Sequence, residues 1–216
     1  LRDTIASLSA ENIPYELLTP REAEQRFPQF QFDDDMTVLY QADTGMLAAS
    51  KCVRAHIRLA QARGVTICDN SPVTRIDIHP DSVTVQTASE TYSAAKIILS
   101  AGSWTNSLLA SSGLRLPLQT LKCHEIYFQP GRAWDYQADT MPVFIAHSTS
   151  FVGDSFYGIP AANGSGVKAS VHGGESVEIP VDYTPDQAVV DKVRGFLNRH
   201  IPSLGYAPLA AMRVCL

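Results

Sequence analysis

The stretch Tyr157-Gly158-Ile159-Pro160, followed after a short turn by Gly166-Val167-Lys168-Ala169-Ser170-Val171-His172, decides how this chain is interpreted. Each run has the composition of a short β-strand. Because side chains alternate along a strand, Lys168, Ser170 and His172 are predicted to share one face and the apolar residues between them the other. Lys168 and His172 would lie about 13 Å apart along that face, since each residue advances about 3.3 Å. The pattern indicates either a half-solvated strand or one wall of a cavity lined by an ammonium and an imidazole.

The composition is that of a globular protein with no affinity for nucleic acid. The 216 residues, 45% of them hydrophobic, can bury a sizeable core and form one large or two smaller domains. Seventeen Lys plus Arg against 22 Asp plus Glu give a net charge of -5, the wrong sign for binding a phosphate backbone. No apolar run approaches the roughly 20 residues that span a bilayer, and the N-terminus lacks a signal pattern. We therefore expect no nucleic-acid partner and no membrane partner.

The cysteines and histidines predict neither a disulfide framework nor a metal site. The four cysteines lie far apart and contain no C-x-x-C pair, which favours a reducing compartment and a cytoplasmic location. The 6 histidines show neither H-x-x-x-H nor H-E-x-x-H spacing. Cys123-His124 has no neighbours that could complete a zinc site, so we predict no metal.

Helical and strand patterns alternate along the chain. Helices are predicted over residues 3–10, 21–27, 51–63 and 185–199. The third helix is expected to bury a face made of Cys52, Val53, Ile57, Leu59 and Ala60. The fourth is expected to bury a stripe made of Ala188, Val189, Val193, Phe196 and Leu197. A β-meander is predicted over 73–78, 83–87 and 91–95, and an antiparallel sheet over 118–128, 142–145, 156–160 and 167–172. The apolar runs 65–68 and 97–99 are predicted as buried strands, the second of them in a parallel sheet.

Three further motifs accompany the two opening strands. They are Gln41-Ala42-Asp43-Thr44-Gly45-Met46-Leu47 before a helix, Ile97-Ile98-Leu99-Ser100-Ala101-Gly102-Ser103-Trp104 followed by Leu116-Pro117-Leu118-Gln119, and Arg213-Val214-Cys215. In this order the motifs resemble the monomeric sarcosine oxidase and N-methyltryptophan oxidase family, which are FAD-dependent amine oxidases of the D-amino-acid oxidase-like superfamily. Each motif alone is weakly specific, but the ordered set spans nearly the whole chain.

The resemblance implies an α+β fold. It predicts an antiparallel or mixed substrate-domain sheet with flanking helices, plus an incomplete piece of an α/β, Rossmann-like FAD-binding domain. Residues 1–44 and 113–216 would belong to the substrate domain, and residues 45–112 to the FAD-binding domain. The G-x-G-x-x-G turn that holds the pyrophosphate in such flavoproteins does not occur in the 216 residues. We therefore expect an internal fragment that lacks FAD and is inactive by itself.

Three residues are implied as catalytic by the resemblance. Lys168 matches the oxygen-activating lysine of the family, whose ammonium would stabilise charge that develops on O2. His172 matches the active-site histidine, and Tyr157 matches the tyrosine of the substrate pocket. The simpler interpretation of Lys168 is an exposed strand lysine, and that of His172 and Tyr157 is ordinary packing.

Four residues are implied as contacts of the cofactor. Cys215 matches the cysteine that carries FAD through a covalent thioether. Val73 and the Ala101-Gly102 turn would approach the adenine and the diphosphate of FAD. A cysteine that is buried and inert, and backbone that is merely well packed, are the alternatives.

The implied activity is oxidation of the C–N bond of a small secondary (N-methyl) amino acid to an imine, with FAD as cofactor and O2 as electron acceptor. Two alternatives stay open. One is a related FAD-dependent amino-acid dehydrogenase with another acceptor, against which Lys168 and Cys215 argue. The other is a non-catalytic ligand-binding fragment. The sequence leaves the oligomeric state open.

Overall fold

Residues 1–147, 151, 153–162 and 164–216 are described by a computed structural model, in which the chain divides into two units. The first unit comprises Leu1–Met46, Lys122–Glu175 and Asp182–Cys215. The second comprises Leu47–Leu121, Ser176–Val181 and Leu216. The assignment of residues 1–44 and 113–216 to a substrate domain, and of residues 45–112 to an FAD-binding domain, stays a prediction.

The secondary structure alternates between helices and strands. The helices are α1 (Arg2–Ala10), α2 (Pro20–Arg26), α3 (Ala49–Ala62), α4 (Thr105–Leu109), α5 (Gln187–His200) and α6 (Pro202–Gly205). The strands are β1 (Glu16–Leu18), β2 (Val38–Tyr40), β3 (Val73–Ile78), β4 (Val83–Thr87), β5 (Thr91–Ala94), β6 (Thr120–Phe128), β7 (Phe144–His147), β8 (Ser155–Ile159), β9 (Val167–Val171), β10 (Glu175–Val177) and β11 (Leu209–Cys215). Within the described ranges, no helix combines the length and the apolar character that crossing a membrane requires.

The main sheet has six strands, with β10, β6, β9, β8 and β7 in this order and β11 also paired with β6. The β11–β6, β6–β9, β9–β8 and β8–β7 pairs are antiparallel. One face of the sheet is apolar because alternate residues of three strands, such as Ile126, Phe156 and Val167, point into a common core. The predicted antiparallel sheet with flanking helices is confirmed.

Helix α5 covers this apolar face. Its buried residues recur at helical spacing and are Val190, Val193, Phe196, Leu197 and His200. The rings of Phe196 and Phe156 stack in parallel, with centroids 4.3 Å apart and planes 6° apart. The helix begins where the Asp186 side chain accepts a hydrogen bond from the backbone N–H of Ala188, at 2.8 Å.

The predicted buried stripe of α5 was wrong at its first positions. Ala188 was expected to be buried but is exposed, and Val189 is only half-buried. At about 100° per residue, Ala188 lies on the other side of the first turn from Val193, whereas Val190 lies three residues before Val193 on the same face. His200 extends the stripe by one turn.

Close packing against the Phe144 ring requires a glycine at position 158. Gly158 pairs with Phe144 across the β7–β8 ladder. A Cβ at Gly158 would collide with the Phe144 ring, so the missing side chain lets that ring lie against the neighbouring strand. The Phe144 ring in turn contacts Phe30 edge-on, with centroids 5.4 Å apart.

The second unit is built on the predicted meander. Strands β3, β4 and β5 pair antiparallel in sequence order. Its few buried residues include Ile76, Val83 and Thr105, and the Ser111 hydroxyl donates a hydrogen bond to the Ile76 carbonyl at 2.7 Å. The small core follows from a sheet of only three strands.

Two predictions for the second unit were wrong. Helix α3 contains no buried residue, although a face of Cys52, Val53, Ile57, Leu59 and Ala60 was expected to be buried. Residues 65–68 and 97–99 form no strand, and Ile98 is 92% exposed. A strand or helix of a parallel α/β layer is buried by neighbouring strands and helices on both sides. The described residues of this unit supply only the meander as a sheet.

His124 connects the main sheet to the start of α5. Its side chain is buried, and Nε2 accepts a hydrogen bond from the backbone N–H of Asp186 at 3.0 Å. Burial lowers the pKa of His124, the neighbouring charge of Lys122 lowers it further, and Asp186 opposes the change. The neutral ring is therefore the form that accepts the Asp186 hydrogen bond.

We expect Phe196→Ala to lower the free energy of unfolding of the first unit by about 3–5 kcal/mol, because it removes a buried ring and leaves a cavity. Urea unfolding followed by tryptophan fluorescence in a Trp104→Phe background, which leaves Trp134 as the reporter, measures the change. Tyr206→Ala, at a site that is 79% exposed, is the control and should cost less than about 0.5 kcal/mol. Equal effects of the two substitutions would contradict the packing described for α5.

We expect the stability of the first unit to fall as the pH falls below about 6.5, the ordinary pKa of a histidine in the unfolded chain. The folded pKa of His124 is lowered, so the unfolded chain binds a proton that the folded chain does not, until the pH also falls below the folded pKa. Urea unfolding between about pH 8 and about pH 5 measures this loss. His124→Gln should make the loss smaller, whereas the control His56→Gln on exposed α3 should leave it unchanged. A loss of the same size in both variants would exclude His124 as its source.

Candidate active site

The face of the main sheet opposite the α5 core carries ionisable side chains from neighbouring strands. The alternation that directs Ile126 into the core directs Glu125 of β6 to the other face. Lys168 of β9 pairs with Tyr127 of β6 across the ladder. Tyr157 of β8 pairs with Ser170 of β9, between Lys168 and His172 along the strand. We call this surface the polar face of the sheet.

Lys168 is the centre of the polar face. Its Nζ lies 2.5 Å from Oε1 of Glu125 and donates a hydrogen bond to it. The two side chains are 18% and 28% exposed, so the ion pair is partly buried. Nζ also lies 5.5 Å from the centroid of the Tyr157 ring, within the range of a cation–π contact. The lysine is therefore held by its neighbours and is not an exposed strand lysine.

The surroundings keep Lys168 charged. Burial lowers the pKa of the ammonium, but the hydrogen bond from Nζ to Glu125 and the negative charge of Glu125 outweigh burial and raise the pKa above its ordinary value. The cation is consequently the stable form at neutral pH. An ammonium that is both charged and partly removed from water exerts a stronger field than one in bulk solvent.

Tyr157 and His172 stand side by side next to this cation. The two ring centroids lie 6.3 Å apart with the planes at 86°. Burial raises the pKa of the Tyr157 phenol, while the Lys168 charge opposes the change, so Tyr157 is a neutral hydrogen-bonding group. The backbone N–H of His172 donates to the Ser155 carbonyl at 2.5 Å, and the residue is exposed. The Tyr157 ring thus lies next to both Lys168 and His172, and the structure brings the three predicted residues together.

Cys215 lies on the same face at the edge strand β11. It is exposed and pairs with Cys123 of β6. Incomplete solvation raises the pKa of the Cys215 thiol, the Glu125 and Cys123 charges raise it further, and Lys168 opposes them. Cys215 is therefore an accessible thiol within the electrostatic influence of the Lys168–Glu125 pair.

The remaining predicted residues belong to the second unit. Val73 begins β3 and lines a cavity of about 480 Å³ together with Thr87 and Tyr92. Ala101 precedes a short 3₁₀ helix that begins at Gly102. Gly102 has a φ of 52°, a left-handed backbone conformation that glycine adopts most readily.

The sequence interpretation missed Glu125. Alternation along β6 could have shown that Glu125 shares a face with Cys123 and Tyr127. It could not show that β6 lies beside β9, because Glu125 and Lys168 are 43 residues apart in the chain. The partner of the lysine emerges only from the register of the sheet.

Comparisons with known proteins agree with the fold and with the sequence motifs. The sequence profile of the family "DAO: FAD dependent oxidoreductase" matches residues 1–216. The peroxisomal sarcosine oxidase of Mus musculus is 32% identical over 217 residues, which cover 96% of this chain and 54% of the mouse protein. The N-methyl-L-tryptophan oxidase of Citrobacter koseri is 28% identical over 183 residues, which cover 83% of this chain and 47% of that protein.

A similar solved structure is the open form of NikD, described as an unusual amino acid oxidase essential for nikkomycin biosynthesis. It superimposes with a TM-score of 0.83 at 25% identity and covers 98% of this chain and 55% of its own. The L-proline dehydrogenase of P. horikoshii shares the fold with a TM-score of 0.81 at 18% identity, covering 99% of this chain and 55% of its own.

The chain spans about half the length of the curated relatives it matches. The resemblance to sarcosine oxidases and N-methyltryptophan oxidases is confirmed by these relatives. On the match of the family profile to its whole length, this chain belongs to the family of FAD dependent oxidoreductases.

Proposed function

We propose that the whole protein containing this chain oxidises the C–N bond of a small secondary (N-methyl) amino acid to an imine, with FAD as cofactor and O2 as electron acceptor. The observation that carries the proposal is the charged, partly buried Lys168, held by Glu125 on the same sheet face as Tyr157 and Cys215. The names of the sarcosine oxidase and N-methyl-L-tryptophan oxidase relatives support this substrate class. When bound, FAD supplies the redox chemistry by accepting the equivalent of a hydride from the substrate carbon.

Lys168 is the proposed oxygen-activating group. Negative charge develops on O2 as it is reduced, and a fixed cation in a dry site stabilises that charge. Glu125 holds Nζ in place and keeps it protonated. An ammonium has three N–H donors, so the hydrogen bond to Glu125 leaves donor capacity for an incoming group.

Tyr157 and His172 are the proposed substrate-orienting groups. The neutral Tyr157 phenol can donate or accept a hydrogen bond, and its ring excludes water from the side of Lys168. The exposed His172 imidazole lies beside the Tyr157 ring, and its ring nitrogens can donate or accept hydrogen bonds. Both residues can therefore position an amino acid without taking part in bond breaking.

The chemical types of the predicted cofactor residues are compatible with FAD. The exposed thiol of Cys215 suits a covalent thioether. Gly102, which lacks a side chain, would let backbone approach a diphosphate closely, and Val73 lines a cavity of about 480 Å³. We propose Cys215, Val73, Ala101 and Gly102 as the cofactor contacts of this chain.

The location and the state of the isolated chain belong to the same proposal. We propose that the first unit is part of a substrate domain and that the second is part of an FAD-binding domain. We also propose that the protein is cytoplasmic, although the mouse relative is named peroxisomal. The 216 residues contain no G-x-G-x-x-G turn, and so we expect them alone to retain no FAD and no activity.

We expect Lys168→Met in the whole protein to slow reoxidation by O2 about 10²–10³-fold and to affect anaerobic reduction by the amino acid much less. The loss corresponds to roughly 3–4 kcal/mol of transition-state stabilisation from one charged donor. Stopped-flow mixing of the substrate-reduced protein with oxygenated buffer measures the reoxidation step.

The matched control is Lys192→Met, which removes an ammonium that is paired with Asp154 and is 47% exposed. It should leave both half-reactions unchanged. Equal reoxidation rates for Lys168→Met and the unsubstituted protein would remove the oxygen-activating role. Slow reduction with normal reoxidation would instead assign Lys168 to substrate binding.

We expect the flavin of the whole protein to stay attached after acid precipitation, and Cys215→Ala to release it completely. Removing the thiol removes the only proposed thioether position, while the other cofactor contacts persist. Absorbance of the washed precipitate and of the supernatant measures both fractions. Cys52→Ala, at an exposed cysteine of the second unit, is the control and should leave the attached fraction unchanged. Complete release from the unsubstituted protein would refute the covalent bond but not the oxidase activity.

A further inference from the structure

The thiols Cys123 and Cys215 are opposed across two neighbouring strands. Cys215 of β11 pairs directly with Cys123 of β6 in the antiparallel ladder. Directly opposed residues project their side chains to the same face, with Cα atoms about 5.5 Å apart in a hydrogen-bonded pair and about 4.5 Å in the other kind. Both separations lie within the range of about 4.4–6.8 Å that a disulfide spans. The spacing of the two backbones is therefore compatible with a bond between the two sulfurs.

Both thiols are free, and they differ in access. Cys215 is exposed and Cys123 is half-buried. The chain beside Cys123 is closely packed, because a Cβ added at Gly174 would lie 3.1 Å from Sγ of Cys123. A reagent in solution therefore reaches Cys215 first. Cys123 lies opposite and can then react with the modified Cys215 sulfur.

We propose that Cys123 and Cys215 form a reversible dithiol–disulfide pair whose oxidant is a low-molecular-weight disulfide of the glutathione class. The Cys215 thiolate attacks the reagent disulfide and expels one glutathione thiolate, leaving a mixed disulfide on Cys215. The Cys123 thiolate then attacks the Cys215 sulfur and expels the second glutathione. The two protein thiols lose two protons and two electrons in total, and the reagent disulfide is reduced to two thiols.

The electrostatics of the polar face set the rate of the first step. The pKa of the Cys215 thiol is raised, first by incomplete solvation and then by Glu125 and Cys123. Because the thiolate is the nucleophile, oxidation is slow at neutral pH and accelerates as the pH rises toward the thiol pKa. The pair therefore stays reduced in a reducing compartment and responds to sustained oxidation.

The consequence for the cofactor rests on the proposed function. A Cys215 sulfur that is bonded to Cys123 has no thiol to offer to a flavin. Oxidation of the pair and covalent attachment of FAD at Cys215 therefore exclude each other. Reduction of the disulfide restores the attachment position.

The test uses the whole protein with Cys52→Ser and Cys68→Ser, so that neither of these cysteines competes with the opposed pair. After incubation with oxidised glutathione, we expect the intact mass to fall by two hydrogens, and peptide mapping to join Cys123 to Cys215. In concentrated urea the yield of this disulfide should drop at least about tenfold, because the sheet no longer holds the sulfurs together. A further Cys123→Ser substitution should trap one glutathione on Cys215.

Persistent glutathione on both cysteines, or equal yields of the disulfide with and without urea, would overturn the proposal. A second measurement separates it from the proposed function. The whole protein, oxidised before FAD is added, should attach at least about tenfold less flavin than the reduced protein. A mapped disulfide with unchanged flavin attachment would leave the dithiol pair intact and contradict the attachment role of Cys215.

Discussion

The alternation of side chains in the main sheet is the constraint on which the candidate site depends. Helix α5 covers one face through residues such as Val193 and Phe196, and that burial fixes which residues of each strand point inward. A shift of one residue in β9 would exchange Lys168 for Val167 on the polar face. The apolar packing of Phe196 on Phe156 thus holds the ammonium in position from the opposite side of the sheet.

The Lys168–Glu125 pair is the electrostatic feature that this arrangement produces. Partial burial of both groups makes their interaction stronger than that of a surface ion pair. Removing one partner of a buried pair typically costs about 3–5 kcal/mol because the other charge is left uncompensated. That value is an upper bound here, since the side chains are 18% and 28% exposed. The pair therefore contributes more to keeping the lysine charged and fixed than to the stability of the fold.

Local patterns in the sequence predicted most of the elements of the first unit and the shared face of Lys168, Ser170 and His172. The predictions were correct where polar and apolar residues alternate along a strand, as they do in Val167–Val171. They missed β11, because Leu209–Cys215 carries apolar residues on both faces and its polarity does not alternate. Without β11, neither the pairing of Cys215 with Cys123 nor the edge of the polar face could be inferred.

In the second unit, the burial predicted from hydrophobicity was wrong. The apolar character of Ile98 and of α3 predicted burial, and both are exposed. Hydrophobicity indicates that a segment would gain from being covered, but it does not say which part of a chain covers it. Long-range partners decide burial here, as they decide that Glu125 lies next to Lys168.

Oxygen uptake by the whole protein is the sharpest measurement of whether Lys168 and its neighbours on the polar face serve the reduction of O2. An oxygen electrode records uptake after a small N-methyl amino acid is added, and the imine product is assayed in the same sample. We expect one O2 to be consumed for each imine formed. Imine formation that requires an added dye as acceptor, with no oxygen uptake, would exclude O2 as the acceptor and favour a dehydrogenase.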